Sequence, residues 1–283
     1  MFELTIPALY ALLVWWFGTG IVLYLARLPA RTYTVSLAVS AALGIVAIAI
    51  IALTARSTTT ASAYLAFTSA IVVWAFIELA FLTGAILGQD RSEALPGTAG
   101  WKRMSHAIAA IIHHELALVL AGAAIFAVSY GAPNRIAIWT FAILWLLRLS
   151  AKLNLFLGVP NLHDELLPER LSHLRSHFRR GPTNPLLPAS IVLAVFAAGY
   201  CVHIAISAEN SGLSVTGSML MASLLALAAL EHVFMLIPLP VMNLWNWRRS
   251  RDGSTHTTAR TAIEPSSLCQ GPKVRTSIAR RGL

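Results

Sequence analysis

The chain has 283 residues, of which 57% are hydrophobic and 12% are charged, and its formal net charge is +9. Because soluble domains carry roughly 25% charged residues, this composition excludes an ordinary water-soluble enzyme, and the high hydrophobicity excludes a disordered chain. The remaining class is an all-α membrane helix bundle that crosses the bilayer several times.

The hydropathy pattern predicts seven transmembrane helices, each close to the roughly 20 apolar residues that cross the hydrocarbon core. The first apolar run lacks a preceding basic segment and is longer than a signal-peptide core, so we expect a retained span. The last span is followed by Pro238 and Pro240 and is expected to continue, kinked, toward Trp247. In chain order, the predicted spans are Leu4–Ala26, Thr32–Ala55, Tyr64–Leu87, Ser105–Tyr130, Ile136–Leu157, Leu187–Ile206 and Leu213–Ile237.

The positions of lysine and arginine predict how these spans are oriented. Four segments hold 19 of the 21 basic residues, while Arg56 and Arg135 fall on the opposite side. Cytoplasmic loops of membrane proteins are enriched in lysine and arginine, so the pattern predicts an outside N-terminus and a cytoplasmic C-terminus. The positive charge therefore marks a membrane side and does not indicate nucleic acid. The basic segments are 26–34, 88–104, 148–186 and the tail from 248.

Two parts of the chain outside the spans are substantial. Residues 1–247 form the predicted membrane domain, and residues 248–283 form a basic cytoplasmic tail that we predict to be disordered. Within the loop after the fifth span, residues 163–180 predict an amphipathic helix lying on the membrane surface. Its apolar face consists of Leu167, Leu171, Leu174 and Phe178. His173 and His177 have the spacing of a metal pair, but a water-exposed polar face is the favoured interpretation.

Ionisable side chains inside a span are costly, so each marks a candidate site. Counted at 1.5 Å per residue from the nearest basic boundary, Glu78, Glu115 and Glu231 fall near the middle of the bilayer, at similar depths. A shared depth predicts one polar cluster if the third, fourth and seventh spans meet. The intramembrane polar candidates are Glu78, His106, His113, His114, Glu115, Arg148, Lys152, Asn154, Glu231 and His232.

Helical phase restricts how the fourth span contributes. His114 is rotated by about 100° from His113, and Glu115 by about 200°. His113 and Glu115 therefore point in nearly opposite directions, and one site cannot easily use both. A site can use His114 with one of them.

Three chemistries remain open for this cluster. A divalent metal is one, because histidine and carboxylate ligands suit iron, zinc or manganese; its candidate ligands are Glu78, His114, Glu115, Glu231 and His232. A haem or chlorophyll is the second, with His113, His114 or His232 as its contact. A structural network is the third and favoured one, in which the glutamates pair with histidine or with Arg148 and Lys152, beside Asn154. No catalytic motif is present, so no catalytic residue is predicted.

A family resemblance begins at Arg148. The chain reads RLSAKLNLFLGVPN to Asn161 and then, from His163, HDELLPERLSHLRSHFRR to Arg180. With WKR at Trp101 and HHELA at His113, this resembles the photosynthetic complex assembly proteins of purple bacteria, the PuhE-like family. The span layout is similar over about residues 1–247, and the resemblance does not extend to the basic tail.

The resemblance implies a multi-pass protein of the bacterial cytoplasmic membrane, inner or intracytoplasmic. Its implied role is assembly of the photosynthetic reaction centre and core antenna, with modulation of bacteriochlorophyll supply or insertion. The expected partners are the lipid bilayer, reaction-centre and antenna subunits, and pigment-synthesis proteins, with bacteriochlorophyll, haem or a divalent metal as the cofactors to consider. The alternative function is a membrane-embedded metal- or tetrapyrrole-binding enzyme that uses the mid-bilayer His/Glu cluster. A transporter with Glu78 and Glu231 as relays ranks last.

Overall fold

The computed structural model describes residues 2–88, 100–162, 168–207 and 212–237, and these ranges are all-α, with no strand. Seven helices are long and apolar enough to cross a membrane, which confirms the predicted class of a multi-pass helix bundle. The helices are α1 (Phe2–Ala26), α2 (Tyr33–Thr54), α3 (Thr60–Leu82), α4 (Gly100–Val128), α5 (Ile136–Leu157), the short α6 (Ser172–Arg175), α7 (Leu186–Ser207) and α8 (Gly212–Phe234).

The third span begins and ends earlier than its hydropathy predicts. At its start, the Thr59 hydroxyl accepts a hydrogen bond from the Ser62 amide at 3.2 Å, as an N-cap does. At its end, Gly84 adopts a positive φ of 84° and turns the chain out of the helix. The apolar residues after Leu82 belong to this turn, which hydropathy does not distinguish from helix. The last span ends at Phe234, and the predicted extension over 238–247 lies outside the described residues.

Arg148 and Lys152 lie in the second half of the fifth span, as its predicted range requires, so the start of the basic segment 148–186 is helical. Helix α5 continues past both residues to Leu157 and ends at Gly158, which has a φ of 126°. Both side chains therefore belong to the bundle. A long basic side chain can remain in a span when carboxylates on neighbouring helices compensate its charge, and both residues have such partners.

Helix α3 is the central helix of the bundle. Of the positions in its apolar stretch, 61% are buried, and the corresponding share is 50% for α8 and 28% or less for the other spans. Helix α3 packs against α1, α2, α4, α5 and α8. Its face toward α1 carries a hydrogen bond of 2.6 Å between the hydroxyls of Thr68 and Tyr10. Most side chains on α3 therefore face the protein interior.

The loop between α5 and α7 is less helical than predicted. It contains a 3-10 turn (Glu169–Leu171) and α6, while residues 163–167 lie outside the described part of the chain. Leu171 and Leu174 pack against the C-terminal end of α3 and the N-terminal half of α4, in a cluster with Phe81, Leu87 and Ala110. The predicted membrane-facing apolar face is therefore wrong for these two leucines. Burying an apolar stripe against apolar helix ends removes it from water as effectively as burying it in lipid does.

The two histidines of this loop also differ from the prediction. His173 is 9% exposed and His177 is 5% exposed, so the expected water-exposed face is wrong. The Arg103 guanidinium of α4 donates a hydrogen bond of 2.8 Å to the His177 carbonyl. Further along, the Val159 amide donates to the Arg179 carbonyl at 3.1 Å. These contacts hold the loop against the bundle.

Candidate functional site

The central polar group surrounds Glu78 on α3. Its Oε1 lies 3.9 Å from Nε2 of His114 on α4 and 3.8 Å from Nε of Arg148 on α5. Both distances exceed a hydrogen bond, and the Arg148 guanidinium attracts the Glu78 carboxylate. His114 is fully buried, and its ring centroid lies 4.3 Å from that of Phe81. Within the described chain, Glu78 Oε1 and both ring nitrogens of His114 have no hydrogen-bond partner.

A small cavity of about 110 Å³ adjoins this group. Glu78, Arg148 and Glu231 of α8 line it, with Thr19 of α1 and an apolar wall that includes Trp74. Both carboxylates interact electrostatically with the Arg148 guanidinium. Two carboxylates and one guanidinium carry one net negative charge when all are ionised, which is costly in a low-dielectric interior. The predicted single cluster is confirmed only for Glu78 and Glu231, which line one cavity, and Glu115 lies outside it.

A second group links α4 to α5. Lys152 Nζ lies 2.5 Å from Glu115 Oε1, and the Trp145 indole N–H donates to Glu115 Oε2 at 3.3 Å. The pair is the interhelical lock that the structural interpretation predicts. The sequence offered no signal for Trp145, because its partner is 30 residues away on another helix.

A third group joins α5, α7 and α8. His232 is buried, and its Nδ1 lies 2.8 Å from the Ala228 carbonyl, which can only accept, so Nδ1 carries a proton. Its Nε2 lies 3.1 Å from the Ser150 hydroxyl, which lies 2.8 Å from that of Ser190. The Asn154 side-chain amide donates to the Ser150 carbonyl at 3.0 Å. Sequence reasoning named His232 and Asn154 but missed both serines, since uncharged hydroxyls are frequent in spans.

His113 belongs to none of these three groups. Its Nδ1 lies 2.5 Å from the Leu87 carbonyl, in the turn that follows α3. His113 thus contacts the loop end while Glu115 contacts α5, which confirms the opposite directions predicted from helical phase. The bundle brings His114 to Glu78 and separates both from His113.

The five predicted metal candidates do not form one ligand set. Among the residues that the structure describes, no three histidine, cysteine, aspartate or glutamate side chains are placed to hold a metal ion. Glu78, Glu231 and His114 lie at or beside the central cavity, Glu115 pairs with Lys152, and His232 contacts the serines. The Glu115 group and the His232 group provide interhelical contacts, and the central group at Glu78 is an incompletely paired charge cluster.

Comparison with known proteins relates this arrangement to a family. Residues 1–256, which include all eight helices, match the family described as "Protein of unknown function (DUF3623)". A relative from Rhodobacter capsulatus, "Uncharacterized 30.4 kDa protein in puhA 5'region", is 37% identical over 262 residues. That alignment covers 91% of this chain and 94% of the relative. No solved structure shows significant similarity.

Proposed function

The chain belongs to the DUF3623 family, and from this membership we propose that it is a membrane assembly factor of the photosynthetic reaction centre and core antenna. The observation that carries the proposal is the full-length similarity to a protein named for the puhA 5' region. It supports a photosynthesis-related function, and the resemblance to the PuhE-like proteins specifies assembly. The proposed location is the bacterial cytoplasmic membrane or its intracytoplasmic extension.

The polar groups of the bundle support a structural role of this kind. The Glu115–Lys152 pair and the Ser150–Ser190–His232 group connect helices to each other within the chain. Such contacts favour one arrangement of apolar helices, whose association in lipid lacks a hydrophobic driving force. A rigid bundle suits a protein that receives other membrane subunits on its outer faces.

The proposed influence on bacteriochlorophyll supply acts through partner proteins. Ligand pockets typically enclose about 300–1,000 Å³, and the cavity beside Glu78 has about 110 Å³, too little for a tetrapyrrole ring. His114 and His232 are both buried within the bundle. The cavity at Glu78 therefore does not hold the pigment, and we propose that pigment handling uses contacts with reaction-centre subunits, antenna subunits or pigment-synthesis proteins.

Deletion of the gene in its phototrophic host tests the proposal. We expect the near-infrared absorbance of the mature reaction-centre–antenna complex to fall, while respiratory growth and other membrane proteins persist. Complementation with the wild-type gene is the control. Unchanged levels of the pigment–protein complex in the deletion strain would contradict an assembly role.

The central cluster favours one second candidate, a membrane-embedded metal-binding enzyme, because its cavity leaves no room for the tetrapyrrole of the predicted alternative. Its incompletely paired Glu78 and His114 are the groups that such chemistry would use. Metal analysis and an absorption spectrum of the purified full-length protein separate this candidate from the first. Stoichiometric metal that is lost in Glu78→Gln and His114→Gln would support the enzyme and count against a purely structural bundle, whereas protein without metal would exclude it.

A further inference from the structure

A large groove lies between α5 and α7, with α8 as its floor. Its volume is about 1080 Å³, at the upper end of the range of ligand sites. Helix α7 packs mainly along α8 and touches α5 only slightly. Leucine, isoleucine, alanine and aromatic side chains form most of the lining, including Trp139, Leu193 and Ala197.

The two ends of the groove differ in their polar groups. At one end, Ser150 and Ser190 are hydrogen-bonded to each other, so an apolar chain can end there without leaving a polar group unpaired. At the other end, Arg135 lines the groove just before α5 begins, and its side chain is exposed. Thr58 contributes a hydroxyl beside this arginine's end of the groove. One guanidinium at the rim of an apolar groove suits a ligand that has an anionic head group and an apolar chain.

The length of the groove fits a chain of lipid dimensions. Arg135 and Ser150 are separated by 15 positions, which corresponds to about 22 Å along a helix. Half of the hydrocarbon core measures about 15 Å, so a chain in the groove extends past the bilayer centre. A chain in this position contacts the apolar side chains of α5 and α7 that do not pack against each other.

We propose that this groove is a binding site for an anionic membrane phospholipid. Its phosphate pairs with Arg135, and one of its chains runs between α5 and α7 toward Ser150 and Ser190. The groove shares Ile143 and Leu147 of α5 with the lining of the cavity at Glu78, but it contains none of that cavity's charged residues. The proposal is independent of the proposed assembly function.

Quenching of Trp139 fluorescence tests the site. This indole lines the groove and is 58% exposed. Full-length protein, purified and delipidated in a neutral detergent, is titrated with brominated phosphatidylglycerol and, in parallel, with brominated phosphatidylcholine. We expect a saturable component of quenching at one phosphatidylglycerol per chain and weaker binding of phosphatidylcholine. Trp139→Phe should remove this component and leave the quenching of the other seven tryptophans. Equal affinity for the two lipids would overturn the proposal.

Two matched pairs of variants localise the binding. Arg135→Ala should weaken phosphatidylglycerol binding about fivefold, as expected for one basic residue near a membrane surface, whereas Arg56→Ala, the other arginine at this end, should not. Ala197→Phe fills the groove and should abolish binding. Ala198→Phe, at the next position of α7, lies outside the groove lining and should bind like the wild type. An equal effect within either pair would show general membrane attraction and overturn the site.

Discussion

Glu115 and Glu78 occupy similar depths but differ in how they are paired. Glu115 has two close partners, Lys152 Nζ at 2.5 Å and Trp145 Nε1 at 3.3 Å. The nearest basic side chains of Glu78 stand 3.8 and 3.9 Å away. The first arrangement holds two helices together, and the second leaves charge that a proton, water or ligand would stabilise.

We expect Lys152→Met to destabilise the protein by about 3 kcal/mol, because it leaves the Glu115 carboxylate enclosed without its cation. The double variant Lys152→Met with Glu115→Gln should recover most of that loss. The measurement is the denaturant midpoint of the purified protein in detergent for both single variants and the double variant. Additive losses would contradict a coupled pair.

The candidate site could be predicted in part at this scale. Glu78, His114, Arg148 and Glu231 were identifiable because charge inside a span has an evident cost. Their partners were not, because pairing depends on which helices are neighbours and on side-chain direction. The charge balance is the same if Glu115 pairs with Arg148 or with Lys152, so composition alone does not select the observed pair.

Among the elements, the loop between α5 and α7 shows what hydropathy leaves undetermined. The spans follow from local apolar length, and six of the seven begin within about one turn of the prediction. The periodicity of the loop identified Leu171 and Leu174 as one apolar face. It did not identify the surface that covers this face, because bilayer and protein interior are equally apolar. The structure places the face against α3 and α4.

This placement predicts a large effect at Leu171. Its side chain is fully buried, so Leu171→Ala should cost about 2–5 kcal/mol through lost contacts and a cavity. Leu120→Ala on α4, where leucine is 63% exposed, is the matched control and should cost far less. Thermal unfolding in detergent, with limited proteolysis of the loop, provides the measurement. Similar losses for both variants would place Leu171 at the lipid surface.

For the whole molecule, the basic residues predict one orientation of the bundle. In a variant with Cys201 and Cys269 replaced by serine, Arg56→Cys should react with a membrane-impermeant maleimide in intact spheroplasts. Arg27→Cys should react only after the membrane is opened, since the positive-inside rule places it in the cytoplasm. The readout is the labelled fraction on a gel. The reverse labelling pattern would show the opposite orientation, with Arg56 in the cytoplasm.

The central position of α3 affects when the bundle can close during synthesis. Helix α3 is synthesised before α8, with which it shares the core. Until α8 arrives, the Glu78 face of α3 has lipid or an insertion chaperone beside it instead of Glu231 and the α8 wall of its cavity. Nascent chains interrupted before α8 therefore lack part of the wall around Glu78, and the bundle closes only after α8 is inserted.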